Sequence, residues 1–196
     1  VSNKIEAPAG YVVTFKNFGG QDDYTKKTST KTFTNWIKTG QGTLNGNVYT
    51  YGAGIGTIVA NYKNDSIEMP DDPTHEGYTF TGWYLDSNCT QALVLNADGT
   101  YTPQKDITIY AGWSANQVTY KVYRYLENAN NENYTLYGDV IEGKAAAGST
   151  LTLLTEANKN QIANTKYVGA NLTGGTLGVG TSITTTTVAP DGTTNI

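Results

Sequence analysis

One short phrase occurs twice in this chain, and it limits the possible folds more than any other feature. Thr32-Phe33-Thr34-Asn35-Trp36 returns as Thr79-Phe80-Thr81-Gly82-Trp83. Downstream, Tyr49-Thr50 with Thr57-Ile58-Val59-Ala60-Asn61-Tyr62 returns as Tyr101-Thr102 with Thr108-Ile109-Tyr110-Ala111-Gly112-Trp113. Each copy reads as an aromatic strand, a loop with Gly, and a second strand closed by an aromatic residue. Self-similarity at about 50 residues signals repeated structural units. Units of that size lie near the lower limit at which a single core holds without staples. Large rings are the means by which such a unit buries enough surface. Each ring removes roughly 150–250 Å² from water, or roughly 4–6 kcal/mol before ordering entropy is subtracted.

The rest of the pattern is period-two alternation of Tyr, Val, Ile, Phe and Thr, broken by Gly, Asn and Asp. Strands are expected at Tyr11–Phe15, Thr32–Ile37, Val48–Tyr51, Thr57–Tyr62, Val118–Glu127 and Tyr134–Tyr137. A tight turn at Lys63-Asn64-Asp65 is expected to fold Ser66–Met69 back as a hairpin partner. The best helical candidate is Thr155–Ala163, with Thr155 as N-cap. The fold class expected is therefore mostly β, α+β at most. Strict alternation sets Phe80 and Trp83 on opposite sides of their strand. Gly82 sits where a bulge would turn Trp83 back towards the core, and Asn35 occupies that place in the first copy.

Composition excludes several classes of function. The chain of 196 residues has 13 Lys+Arg against 17 Asp+Glu, and its lysines cluster nowhere beyond Lys26-Lys27, so no nucleic-acid partner is expected. No apolar run is long enough to span a membrane as a helix. The single Cys89 excludes an intrachain disulfide and a Cys-based zinc site. His75, the one His, has no partner in a recognisable nucleophile motif, and its Pro/Asp-rich setting reads as a solvated loop. Cys89 lacks a basic neighbour to activate it and reads as partly buried. Asp71, Asp72 and Glu76 do not follow calcium-loop spacing, and Asn96–Gly99 and Pro190–Gly192 read as turns. Gly174–Gly180 precedes a Thr-rich strand, so it reads as a flexible turn and not a phosphate loop. No catalytic, metal or cofactor-binding residue is assigned. The 15 Tyr are read as strand packing, so no binding residues are named either. With 32 Thr and 19 Asn, the acidic, Cys-poor composition suits an exported protein, and the chain reads as a piece of a longer one lacking signal peptide and sorting motif.

Gly77-Tyr78-Thr79-Phe80-Thr81-Gly82-Trp83-Tyr84, led in by Pro73-Thr74-His75-Glu76 and followed by Thr108-Ile109-Tyr110-Ala111-Gly112-Trp113, resembles the Listeria–Bacteroides repeat of internalin-type surface proteins. Ile109 stands where that pattern has Leu. Residues 1–62 resemble a divergent copy without the lead-in prolines, or form one elaborated unit with residues 63–114. Val118–Glu127, the Asn-rich turn after it and Tyr134-Thr135-Leu136-Tyr137 are similar to a mucin-binding-protein-like (MucBP-like) module over 115–196, its closing strand short or missing. These resemblances imply tandem β-grasp-like modules in an elongated arrangement. They imply a non-catalytic adhesin or stalk segment of a Gram-positive bacterium, extracellular and attached to the cell wall. Expected partners are a host glycoprotein, mucin or extracellular matrix, with no cofactor, no membrane insertion and a monomeric state. The alternatives are a direct glycan- or mucin-binding module, or an accessory domain of a secreted enzyme.

Overall fold

The computed structural model describes residues 6–19, 24–152, 162–166, 169–170 and 185–196. All regular structure among them is β. The expected helix at Thr155–Ala163 falls outside the described residues except for Ile162 and Ala163, which form a bend and a turn, and Gly174–Gly180 lies wholly outside them. The chain divides into two compact units. One comprises residues 1–73 and 82–112, the other residues 74–81 and 113–196.

The first unit is built on β1 (Val12–Lys16), β2 (Tyr24–Thr28), β7 (Tyr78–Tyr84) and β8 (Ile107–Ala115), in the order β2-β1-β8-β7. The unit boundary falls within β7 and β8. β1 runs antiparallel to β2 and parallel to β8, with Phe15 beside Ile109. Alternation sends Val13 and Phe15 inward with Ile109 and Ala111, and all four are fully buried. Trp83 closes this core with 8 % of its surface exposed, edge-on to Phe15 at 5.3 Å and to Phe18 at 5.5 Å between ring centroids. Edge-to-face geometry sets the positive rim of one ring against the negative face of another.

Between β2 and β7 the chain leaves this sheet. β3 (Lys31–Gly40) and β6 (Gly56–Asn64) make a separate two-stranded ribbon, and β4 (Thr43–Asn45) and β5 (Val48–Thr50) make a second hairpin nested between them. The turn at Gly46-Asn47 needs φ of +58° at its first residue, which Gly adopts without steric cost. Ser66–Met69 does not form the expected hairpin partner. β6 is already paired to β3, so only Ile67 makes a bridge, exchanging backbone hydrogen bonds with Tyr101 at 2.8 and 2.9 Å. The compact units are thus drawn differently from the sequence divisions 1–62, 63–114 and 115–196. The parallel pairing of β1 with β8 ties residue 13 to residue 107, across the repeat boundary.

In the second unit β9 (Gln117–Val122) lies between β12 (Ile141–Ala146), antiparallel, and β15 (Thr194–Asn195), parallel. Gly143 faces Tyr120, and the ring occupies the space a side chain at residue 143 would need. Two further hairpins pair β10 (Tyr125–Glu127) with β11 (Tyr134–Leu136), and β13 (Thr150–Thr152) with β14 (Thr185–Thr187). The single strand expected over Val118–Glu127 is therefore two. It breaks at Tyr123-Arg124, where the Tyr123 amide donates to the Ile196 carbonyl and the Arg124 carbonyl accepts from Tyr137.

Candidate binding surface

Phe33 and Trp36 of the repeated phrase join Tyr62 in a half-exposed aromatic row on the ribbon. A register shift between Phe33 and Asn35 inserts Thr34 as an extra residue opposite β6. Without it, alternation would separate Phe33 from Trp36. With it, Phe33 opposes Tyr62 and Trp36 opposes Ala60, so the three rings share one face. Phe33 lies 5.2 Å from Trp36 and 5.9 Å from Tyr62 between centroids. Lys31 and Lys38 occupy the same face by register, one at each end of this row. The opposite face carries Asn35 hydrogen-bonded to Asn61 at 3.0 Å, then Ile37 beside Val59. Ile37 is 46 % and Val59 59 % exposed, so no layer covers them within the first unit.

Local chemistry fixes the base of the ribbon. Thr30 and Thr32 donate their hydroxyls to Asp65 at 2.7 and 2.8 Å, and the Asp65 amide donates to the Thr30 carbonyl. The Thr30 bond, followed by that of Thr32, holds the Asp65 carboxyl below the usual carboxylate range. At the far end Tyr49 donates its hydroxyl to the Gln41 carbonyl. Tyr51, beside Tyr49, is 89 % exposed.

The residues weighed for chemistry from sequence are dispersed. His75 is half-buried and not solvated as expected. It stacks on Tyr78 at 4.2 Å and meets the edge of Trp113 at 5.3 Å, because Gly77 turns the chain tightly enough for His75 to bridge Tyr78. Its Nδ1 is buried without a hydrogen-bond partner. Phe80 joins the same cluster through Trp113, at 5.7 Å. Phe80 and Trp83 therefore serve different cores, one in each unit, and Gly82 between them has φ of +126°. Asn35 takes no such angle; the first copy makes its irregularity at Thr34 instead.

Cys89 is half-buried, and burial followed by the charge of Asp86 pushes its thiol up, which disfavours the reactive thiolate. Burial alone would also push the Asp86 carboxyl up. The amides of Gln91, Thr90 and Asn88 outweigh it and hold the group below its usual range. Asp98 and Asp191 each accept from the amide and hydroxyl of the Thr two residues on, and Gly99 and Gly192 turn at positive φ. Both are side-chain-locked turns. Among the described residues no three His, Cys, Asp or Glu side chains gather as metal ligands. Ser114-Ala115-Asn116, expected as a linker, is built into the second unit. Asn116 donates to the Gly77 carbonyl at 2.8 Å, accepts from Thr79 at 2.7 Å and accepts from the Ala147 amide at 2.9 Å.

The match to known proteins takes in β6 of the ribbon but not β3, so of the candidate face it covers Tyr62 alone. Residues 42–112 match the model of the Listeria–Bacteroides repeat domain. That span begins between β3 and β4, takes in β4 to β7 with Trp83 on the last, and ends within β8. Internalin H of Listeria monocytogenes is 41 % identical over 63 residues, which is 32 % of this chain and 11 % of that protein. Two proteins of Evansella cellulosilytica, both named as membrane proteins, are 35 % and 37 % identical over 79 and 65 residues. Those stretches cover 37 % and 33 % of this chain, and 11 % and 7 % of the two relatives. No solved structure matches the chain. Among the described residues no helix is long and apolar enough to cross a membrane.

The sequence reading assigned no binding residues, and the face formed by Lys31, Phe33, Trp36, Lys38 and Tyr62 is what it passed over. Alternation alone places Phe33 and Trp36 on opposite faces, so the face appears only once the bulge at Thr34 is known.

Proposed function

We propose that this chain is a segment of a bacterial surface protein. Its β modules are non-catalytic, and they display or contribute to adhesion to a host glycoprotein, mucin or matrix. The observation that carries this reading is the repeat-domain match over 42–112, reinforced by the similarity to internalin H. The half-exposed aromatic face of the ribbon supports a binding role, because ring surface left in water costs free energy that a partner would recover. Residues 115–196 are taken as the MucBP-like module, and both modules as β-grasp variants. Attachment to the wall of a Gram-positive cell belongs to the same proposal.

Antibody raised against the segment tests it on intact cells of the bacterium that makes the protein. Labelling of unbroken cells, abolished by brief external protease, is the expected result. Labelling only after lysis would overturn the reading.

A further inference from the structure

Residues 24–64 hold five lysines, Lys26, Lys27, Lys31, Lys38 and Lys63, and no Asp or Glu. The stretch carries +5 within a chain of net −4, leaving −9 on the remainder. Three of these ammonium groups are held by neutral partners. Lys27 donates to the carbonyls of Glu68 and Met69 at 2.8 and 3.3 Å, Lys31 lies 4.5 Å from the Tyr11 ring centroid, and Lys38 donates to the Gly40 carbonyl. Carbonyls and rings orient an ammonium without cancelling its charge, and each group keeps N–H bonds free to donate. The ribbon thus offers a half-exposed row of rings with a fixed cation at either end. A two-stranded sheet has no second layer beneath which to bury it.

We infer that this face, Lys31–Phe33–Trp36–Lys38 with Tyr62, binds an acidic polysaccharide. Pyranose C–H faces lie on the Phe33 and Trp36 rings, and carboxylate or sulfate groups meet the two lysines. Size decides against a folded protein partner. At the strand rise and spacing the row is roughly 20 Å long and 10 Å wide, or about 200 Å². A standard protein interface needs about 800 Å² per partner. An extended polymer needs no more than a strip. A nucleic acid stacking its bases on the same rings is the competing occupant, and the oligonucleotide in the test below decides between them. The inference draws on the surface-protein reading only for access to such polymers. Binding in vitro can fail while surface exposure stands, and the reverse.

The test titrates the full chain with a heparin-derived oligosaccharide, an oligogalacturonate, neutral dextran, polyphosphate and a single-stranded oligonucleotide, by calorimetry. The two acidic saccharides separate sulfate from carboxylate as the anionic group. Saturable binding of at least one of them is expected, weakening about tenfold on moving from low salt to physiological ionic strength. Trp36→Ala, and separately the double variant Lys31→Gln with Lys38→Gln, should each weaken it about tenfold, with Trp36→Phe restoring most of the loss. The lysine pair keeps the test decisive should Trp36→Ala fail to fold, which circular dichroism will show. Absence of acidic-saccharide binding overturns the inference. So do equal affinity for dextran, equal affinity for polyphosphate or oligonucleotide, and acidic-saccharide binding indifferent to the lysine pair.

Discussion

The same five-residue phrase lives in two different environments, and the contrast between Trp36 and Trp83 shows what the phrase encodes. Trp83 is 8 % exposed, set edge-on against Phe15 and Phe18 on the edge strand of a four-stranded sheet. Trp36 lies on a two-stranded ribbon against Phe33, itself 40 % exposed. Both strands carry an irregularity just before the Trp, but by different means. The second copy uses Gly82 at φ +126°, and the first inserts Thr34 as an extra residue. The phrase therefore specifies an aromatic strand with a local twist. It does not specify whether the ring is buried: β7 and β3 each have one strand beside them, and Trp83 is buried because Phe15 and Phe18 pack onto it.

The largest expected effect follows from burial. Trp83→Ala should destabilise the first unit by roughly 3–5 kcal/mol, measured by urea unfolding. A loss below about 0.5 kcal/mol, typical of a surface site, would erase the contrast. Gly82→Ala comes next, at about 1–3 kcal/mol. A Cβ there meets nothing within 4 Å, so the cost is conformational strain at φ +126° and not collision. Asn35→Gly, the corresponding change in the first copy, should bring no comparable change. Trp36→Ala should cost less than about 1 kcal/mol, because the ribbon has little packing to lose.

The smallest effect is a titration that compares the carboxylates anchoring each copy, Asp65 and Asp86. Both are held below their usual range by hydrogen bonds to the ionised form. A depressed folded-state pKa stabilises the fold above the unfolded value, near 3.9, and that contribution vanishes as pH falls through the folded value. Amide protection at Thr90 and Gln91, and at Asp65 itself, should therefore decline below about pH 4. Asp86→Asn should remove the pH dependence from the first pair alone. Protection unchanged from pH 6 down to pH 2 would show that these carboxylates anchor nothing.

Most strands were legible because alternation and turn residues agree locally. Tyr11–Phe15 became β1 with a shift of one residue, and Thr57–Tyr62 lies wholly within the longer β6. Partner choice was not legible. Ser66–Met69 has strand-like alternation, yet β6 had already taken β3, and nothing in four residues announces that competition. The break at Tyr123-Arg124 was hidden for the same reason, since the group that captures the Tyr123 amide is the Ile196 carbonyl, far along the chain. His75 was misread because its stacking on Tyr78 requires Gly77 at φ +77° between them. As for the candidate face, the lack of acidic residues over 24–64 was visible from the first line of sequence. Only the bulge at Thr34 aligned the rings.

The parallel pairing of β1 with β8 also bears on the order of folding. Its two strands meet across more than ninety residues, from Val13 to Ile107, so this contact closes the largest loop in the first unit. Antiparallel hairpins such as β4–β5 need only a two-residue turn and form in about 1–10 μs. The ribbon is thus placed to form early and draw residue 64 back beside residue 31, shortening the span that β1 and β8 must still close. The insertion that exposes its rings to a ligand would then also speed assembly of the sheet that buries Trp83. Cutting the ribbon down to a short loop should leave that sheet intact, and the folding rate would report whether the ribbon had been guiding it.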